Sequence, residues 1–88
     1  MAKRGRLEIM RDILKIIQDN QKIKTTPLLR KTNISSSSFK EYYTELLGKE
    51  FIKETHSKDG KHVTLTEKGT RFLQKYLAIV NFIDEFDL

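Results

Sequence analysis

This chain of 88 residues is long enough for one domain and too short for two. It has no cysteine, which excludes disulfides, thiol catalysis and cysteine-based zinc sites and is typical of a reducing compartment. Lysine and arginine number 17 against 12 acidic residues, so the net charge is +5. The excess lies in residues 1–66, with 14 basic and 8 acidic side chains, and this uneven distribution indicates a polyanionic partner.

The amino-acid sequence shows neither the pattern of a membrane span nor that of an export signal. No apolar run approaches the roughly 20 residues that a transmembrane helix needs. The basic N-terminal residues are not followed by the apolar core of a signal peptide. We therefore expect a cytoplasmic protein, and one that binds DNA would be associated with the nucleoid.

The first part of the chain predicts two helices of different length. Apolar side chains recur at steps of three and four through residues 6–19, which is the pattern of an amphipathic helix. A second, short helix is predicted over residues 27–31, because Thr26 can cap free backbone N–H groups and Pro27 suits the first helical position. A tight turn follows at residues 32–34.

A third helix is predicted to begin at a serine cap, either Ser35 or Ser36, and to continue to residue 47. Its apolar side chains again recur at helical spacing, so that one side of the helix faces a core. Gly48 follows directly and is placed as a left-handed C-terminal cap.

A β-hairpin and a last helix complete the predicted elements. Residues 51–56 and 61–65 are β-type runs on either side of Asp59-Gly60, a dipeptide typical of tight hairpin turns. Thr66 can cap a helix that starts at the next residue.

The last helix has an apolar seam at alternating steps of four and three, which is typical of a coiled-coil face. A second apolar stripe, formed by Leu73, Leu77 and Val80, lies beside the seam, and one small domain can hardly cover both. A chain of this size buries only about 60–65% of its unfolded surface, so association would add needed stability. We predict a homodimer with the seam residues Phe72, Tyr76, Ile79, Ile83 and Phe86.

The order of these elements predicts an α+β, mostly helical fold, a winged helix-turn-helix with a C-terminal dimerisation helix. Residues 1–66 would form the DNA-binding body with a basic N-terminal arm, and residues 67–88 the dimerisation helix. In this fold an α-helix enters the major groove and contacts base edges through its N-terminal residues. The third helix is therefore the candidate recognition helix.

The exposed side of the third helix supplies candidate DNA-binding residues. Serine hydroxyls are weak partners for bases and good partners for phosphate oxygens, and Lys40 can reach a guanine. Because no arginine or glutamine lies on this side, we expect a modest sequence preference. Alternatively, the serine run is only a helix cap with a solvated first turn. The exposed positions are Ser36, Ser37, Lys40, Glu41 and Thr44, and the candidate DNA-binding residues among them are Ser36, Ser37, Lys40 and Thr44.

Two further basic groups flank this helix in the predicted fold. A basic wing can contact a phosphate backbone and release its counterions, and a basic arm around a flexible glycine can enter a minor groove. Solvated lysines at a hairpin tip and a disordered basic terminus are the alternatives that the pattern leaves open. The wing group is Lys53, Lys58 and Lys61, and the arm group is Lys3, Arg4 and Arg6.

The sequence argues against catalysis. Its nucleophiles are hydroxyls, which need an adjacent base, and the available histidines, His56 and His62, lie near a hairpin tip with opposite strand parity. No glycine-rich phosphate loop, paired-carboxylate motif or metal-ligand cluster is present. We therefore predict no enzyme activity, no metal, no cofactor and no small-molecule ligand.

Three stretches resemble a family of small archaeal winged-helix proteins. They are Arg4-Gly5-Arg6-Leu7-Glu8-Ile9-Met10, then Thr32-Asn33-Ile34-Ser35 leading to Phe39 and Tyr43, and Leu65-Thr66-Glu67-Lys68-Gly69. The family includes ten-kilodalton chromatin proteins that dimerise through an antiparallel C-terminal coiled coil. The resemblance implies double-stranded DNA binding, dimerisation and a role in chromatin or transcription regulation.

A protein-interaction module is the alternative function. The winged-helix fold also serves as an adaptor without nucleic acid, and a fold does not determine a function. The two functions differ in where the positive charges lie, because a DNA-binding protein collects them on the recognition helix and the wing.

Overall fold

The computed structural model describes residues 5–88, and this part of the chain contains four helices and one two-stranded hairpin. Their order and types confirm the predicted mostly helical α+β winged helix-turn-helix fold. The elements are α1 (Arg6–Asn20), α2 (Thr25–Thr32), α3 (Ser36–Gly48), β1 (Ile52–Ser57), β2 (Gly60–Leu65) and α4 (Glu67–Glu85).

Helix α1 lies at the centre of the core. Its four inward side chains, Met10, Ile13, Leu14 and Ile17, are at most 2% exposed. Burying an aliphatic side chain of this size contributes about 1.5–3 kcal/mol, so this one helix face supplies a large part of the folding free energy. The remaining core residues come from every other element and from the α1–α2 connector: Ile23, Leu28, Phe39, Leu46, Ile52, Val63 and Leu73.

Helices α2 and α3 form the helix-turn-helix. Helix α2 starts two residues earlier than predicted, and its N-cap is Lys24, which forms no side-chain cap hydrogen bond. The predicted Thr26 cap is therefore wrong. Pro27 is the third helical residue. The N–H groups of the first turn have no intrahelical acceptor, so the N–H that proline lacks costs nothing there. Asn33 has φ 58°, a left-handed conformation that asparagine tolerates, and it turns the chain towards α3.

The start of α3 matches the prediction and its end does not. The Ser35 side chain accepts a hydrogen bond from the Ser38 N–H at 3.2 Å, which confirms the serine cap. Gly48 is the last helical residue, and the left-handed residue is Glu50, at φ 62°. The helical turn continues because the Lys49 N–H still bonds to the Glu45 carbonyl, so the reversal comes two residues after Gly48.

Strands β1 and β2 pair antiparallel, with Ile52 opposite Leu65. The central turn residues are Lys58 and Asp59, one position earlier than expected from the Asp-Gly dipeptide. Gly60 follows at φ 111°, which only glycine adopts without strain, so the glycine still determines where the strands reverse.

A short bridge connects the α1–α2 connector to the hairpin. The Ile23 N–H donates to the Val63 carbonyl at 3.1 Å, and the Val63 N–H donates to the Ile23 carbonyl at 2.8 Å. Both side chains are buried. The α1–α2 connector therefore anchors the base of the wing to the helical core.

The Leu-Thr-Glu-Lys-Gly element places α4 against the loop after α3. Thr66 caps α4 by accepting from the Gly69 N–H at 3.1 Å, and its hydroxyl donates to the Glu50 carbonyl at 2.6 Å. A Cβ on Gly69 would lie 2.1 Å from the Phe51 carbonyl oxygen, so only glycine permits this approach. None of the helices in residues 5–88 is long and apolar enough to cross a membrane.

Candidate nucleic-acid interface

One side of α3 presents a continuous polar surface, which we call the α3 face. Its four side chains follow one another at spacings of three, one and three residues, so they form a single helical stripe. Together they line an open concavity of about 540 Å³. The opposite side of α3 is buried through Phe39 and Leu46, which turns the stripe outwards. The α3 face consists of Ser37, Lys40, Glu41 and Thr44.

The predicted residues of α3 all lie on exposed surface. Ser37, Lys40 and Thr44 share the concavity, and Ser36 is exposed beside it. Ser35 is the N-cap of α3, and its hydroxyl oxygen lies 3.4 Å from that of Ser37. Capping therefore explains the presence of Ser35 only. Within the described residues Lys40 forms no ion pair, and its charge is available to a partner.

A polar network joins α3 to the hairpin. The Tyr43 hydroxyl donates to Glu54 Oε2 at 2.5 Å, and Lys61 Nζ lies 3.2 Å from the same oxygen. Burial, together with the Glu54 carboxylate, raises the pKa of Tyr43 above its usual value. The hydrogen bonds from Tyr43 and Lys61 lower the pKa of Glu54. Sequence reasoning missed this network, although the inward parity of Glu54 on β1 was a signal for it.

The wing lysines do not share one surface. Lys58 lies in the turn, Lys61 is on the same sheet face as Glu54, and Lys53 is on the other face. Lys24, which the sequence analysis did not select, lies beside the wing, with its Nζ 3.8 Å from where a Cβ on Gly60 would be. The N-cap residue of α2 thus adds a positive charge beside the wing.

Only one member of the predicted arm can be placed. Arg6 is the first residue of α1 and forms an ion pair with Glu45 of α3, which also lies 3.8 Å from Lys49. This pair is near the C-terminal end of α3, away from Ser36. Lys3 and Arg4 lie outside the described residues.

The two histidines lie on opposite faces of the hairpin, as their parity predicts. His56 is opposite Lys61 and His62 is opposite Thr55 in the strand register. Among residues 5–88, no group of three or more histidine or acidic side chains is placed to hold a metal ion.

The predicted seam of α4 divides into two parts. Phe72 contacts Phe51, with ring centroids 5.0 Å apart, and Tyr76 lies under the Arg11 guanidinium at 5.6 Å. The rest of the seam is exposed by 39–59%. In the second stripe, Leu73 is buried in the core and Leu77 is 45% exposed. The exposed seam residues are Ile79, Ile83 and Phe86, and Phe82 lies beside them at 55% exposure.

An apolar groove runs between the start of α1 and the middle of α4. Its volume is about 430 Å³. Leu7 of α1 is 51% exposed and faces this groove together with Ile79 and Ile83 of α4. The groove is thus continuous with the exposed part of the seam.

The fold and the chain sequence lead to one family. Residues 3–83 match the winged helix-turn-helix family along most of the chain. The chain belongs to this family. The resemblance to small archaeal winged-helix proteins is thereby confirmed, and membership of the winged helix-turn-helix family supports the prediction that the protein is not an enzyme.

A similar sequence occurs in the uncharacterized protein MJ0290 of Methanocaldococcus jannaschii. The two are 35% identical over 82 residues, which is 93% of this chain. The same residues make up 36% of MJ0290, so this winged helix-turn-helix chain spans about a third of that relative.

Solved structures with the same fold include three small proteins. Sso10a-2, a DNA-binding protein from Sulfolobus solfataricus, has a TM-score of 0.76 at 23% identity, covering 94% of this chain and 85% of its own. F-93 of SSV1 has a TM-score of 0.70 at 26% identity, and F93 from STIV, a winged-helix DNA-binding protein, has 0.71 at 18%. Each of the latter two covers 89% of this chain and 91% of its own.

Proposed function

We propose that this protein binds double-stranded DNA as a homodimer and acts in transcription regulation or chromatin organisation on the nucleoid. Helix α3 enters the major groove, and the wing contacts the phosphate backbone. The N-terminal arm, with Lys3 and Arg4, adds a further backbone or minor-groove contact. Two of the structural neighbours, Sso10a-2 and F93 from STIV, are DNA-binding proteins, which supports this proposal.

The observation that most directly supports DNA binding is the α3 face. A helix fits the major groove only when one side is free of core contacts and carries polar groups that reach base edges and phosphates. The α3 face meets both conditions, because its side chains are exposed while Phe39 and Leu46 are buried behind it. Lys40 has no ion-pair partner among the described residues and is free to approach a phosphate or a base.

The charge distribution favours DNA over a protein partner. Residues 22–61, which include α2, α3 and the wing, carry nine basic and five acidic side chains. Lys24 and Lys58 are exposed around the wing turn, so the N-cap of α2 adds positive charge to that of the wing. A phosphate backbone that binds such a surface releases condensed counterions. This release contributes to the affinity without a covalent reaction and without strong dependence on the DNA sequence.

The exposed apolar part of α4 supports a homodimer. Single exposed apolar side chains are ordinary, whereas a contiguous set is typical of an interface. Ile79, Ile83, Phe82 and Phe86 form such a set, and the groove beside Leu7 extends it. A second copy of α4 packed along this surface would bury it and would position two α3 helices on one duplex.

The test is a fluorescence-anisotropy titration of random-sequence duplex DNA at several salt concentrations, with light scattering on the same sample. We expect binding whose affinity falls steeply with salt, from a particle with the mass of a dimer. Absence of binding at low salt would contradict the proposal and would favour the adaptor function. A monomeric mass with intact binding would remove the dimer alone.

A further inference from the structure

Glu41 is an acidic side chain on the α3 face. It is exposed and lines the same concavity as Lys40 and Thr44. The other acids of α3 and β1 are occupied: Glu45 pairs with Arg6, and Glu54 accepts from Tyr43. Within the described residues Glu41 forms no ion pair or hydrogen bond through its side chain.

A carboxylate in this position is costly for a helix that only follows phosphates. Like charges repel, and the repulsion grows as the helix enters a groove lined by two phosphate backbones. The cost is offset where the carboxylate accepts a hydrogen bond from a base. Lys40, one residue earlier on the same face, supplies positive charge that reduces the repulsion from the backbone.

The major-groove edges of the bases determine which base suits a carboxylate. Cytosine presents the N4 amino donor and no acceptor beside it. Adenine presents an N6 amino donor next to the N7 acceptor, which repels a carboxylate, and guanine and thymine present acceptors there. A glutamate therefore selects cytosine, whereas a glutamine, with both a donor and an acceptor, selects adenine.

We propose that Glu41 is a specificity-determining residue that accepts a hydrogen bond from the N4 amino group of one cytosine in the major groove. This inference rests on the proposed docking of α3 in DNA. It gives the protein a preference at one base pair, in agreement with the modest overall preference that the serines of α3 imply.

The experiment is selection from a randomised duplex library by the wild type, Glu41→Gln and Glu41→Ala, with anisotropy titrations of the selected and random duplexes. We expect the wild type to favour cytosine at one position by about fivefold, the low end for a base contact. Glu41→Gln should transfer the preference at that position to adenine. Glu41→Ala should lose it and bind random DNA more tightly.

Glu50→Gln is the matched control, because it removes the same charge from an exposed residue outside the α3 face. It should leave the selected base unchanged. The wild type and the two Glu41 variants could select the same bases, while the Glu41 and Glu50 variants all gain the same affinity. In that case Glu41 acts only through bulk charge and the inference is wrong. A wild type that binds random duplex DNA with a steep salt dependence but selects no base overturns the inference and leaves DNA binding intact. If the wild type binds no DNA at all, both the inference and the proposed DNA binding are wrong.

Discussion

The hydroxyl of Tyr43 on α3 donates a hydrogen bond of 2.5 Å to the carboxylate of Glu54 on β1. This contact joins the candidate recognition helix to the wing outside the hydrophobic core. Lys61 of β2 binds the same carboxylate oxygen, so both wing strands are tied to α3. The angle between helix and wing is therefore held by a polar contact as well as by packing.

Removing the Tyr43 hydroxyl should lower the free energy of unfolding and loosen the packing of the wing on α3. Tyr43→Phe keeps the ring that stacks on Phe39 at 5.6 Å but leaves Glu54 with Lys61 alone. We expect a loss of about 1.5–3 kcal/mol in the free energy of unfolding, the range for a hydrogen bond to a charged group. Urea denaturation measures it, and Tyr42→Phe, on the half-buried neighbour, is the control. Equal losses in both variants would contradict a specific role for Tyr43.

The same pair should give stability a defined pH dependence. The pKa of Glu54 is lowered in the folded state, so its contribution is present above its usual pKa and is lost as the pH falls through the folded value. The pKa of Tyr43 is raised, so its contribution is present below its usual value, near 10, and is lost as the pH rises further. Thermal melts of the wild type and Tyr43→Phe from acid to alkaline pH should differ most in the middle of this range. A constant difference would argue against the coupling.

Glycine at position 69 should be required for full stability. In Gly69→Ala the new Cβ would meet the Phe51 carbonyl oxygen at 2.1 Å, and α4 would have to move away from the loop. Overpacking against backbone costs about 1–3 kcal/mol or more. Gly48→Ala is the matched control, because nothing lies within 4 Å of its Cβ in α3, and alanine there should stabilise the helix by about 0.5–1 kcal/mol. Urea denaturation of both should show opposite signs.

Two lysines should contribute to affinity without base selection. We expect Lys40→Ala with Lys58→Ala to weaken binding to every duplex by a similar factor and to reduce the salt slope by about one for each lost phosphate contact. Lys15→Ala with Lys75→Ala removes the same charge from α1 and α4 and should change the slope less. Affinity that is retained at low salt in the first pair would count against these contacts.

Polar residues in the exposed seam should separate the proposed dimer. Ile79→Gln with Ile83→Gln removes apolar side chains that are 59% and 39% exposed in one chain, so the lost burial falls on both the association and the single chain. Sedimentation velocity should show monomers, with a lower melting temperature. Leu77→Gln is the control, because residues two apart do not share a helix face. An unchanged sedimentation coefficient in the double variant, or dissociation caused by Leu77→Gln instead, would show that the seam is misassigned.

Local signals were sufficient to predict most of the fold. Helical spacing, the Ser35 and Thr66 caps and the hairpin alternation each depend on residues close in sequence, and the structure contains all of them. Element ends were less predictable. The chain after α3 reverses at Glu50 and not at the predicted Gly48. The position of the reversal depends on how far backbone hydrogen bonding continues, which the glycine alone does not determine.

Long-range polar partners could not be predicted from spacing. Glu54 has the ordinary appearance of a strand residue, and only the packing of α3 on the hairpin brings Tyr43 within hydrogen-bonding distance. Arg6 likewise looked like part of a basic arm until the fold placed Glu45 beside it. The composition of the α3 face was predictable, whereas the pairing that leaves Lys40 and Glu41 available depends on the tertiary structure.

The bridge between Ile23 and Val63 divides the wing into two mechanically different parts. At its root, β2 has backbone partners on both edges, so the amide protons of Ile23 and Val63 should exchange with solvent only through global unfolding. At its end, Lys58 and Asp59 form the turn beyond the last strand pair, Ser57 with Gly60, and both are exposed. Local opening there should leave the root closed, so that in the proposed DNA complex the end would adjust to grooves of different width while the core stays intact.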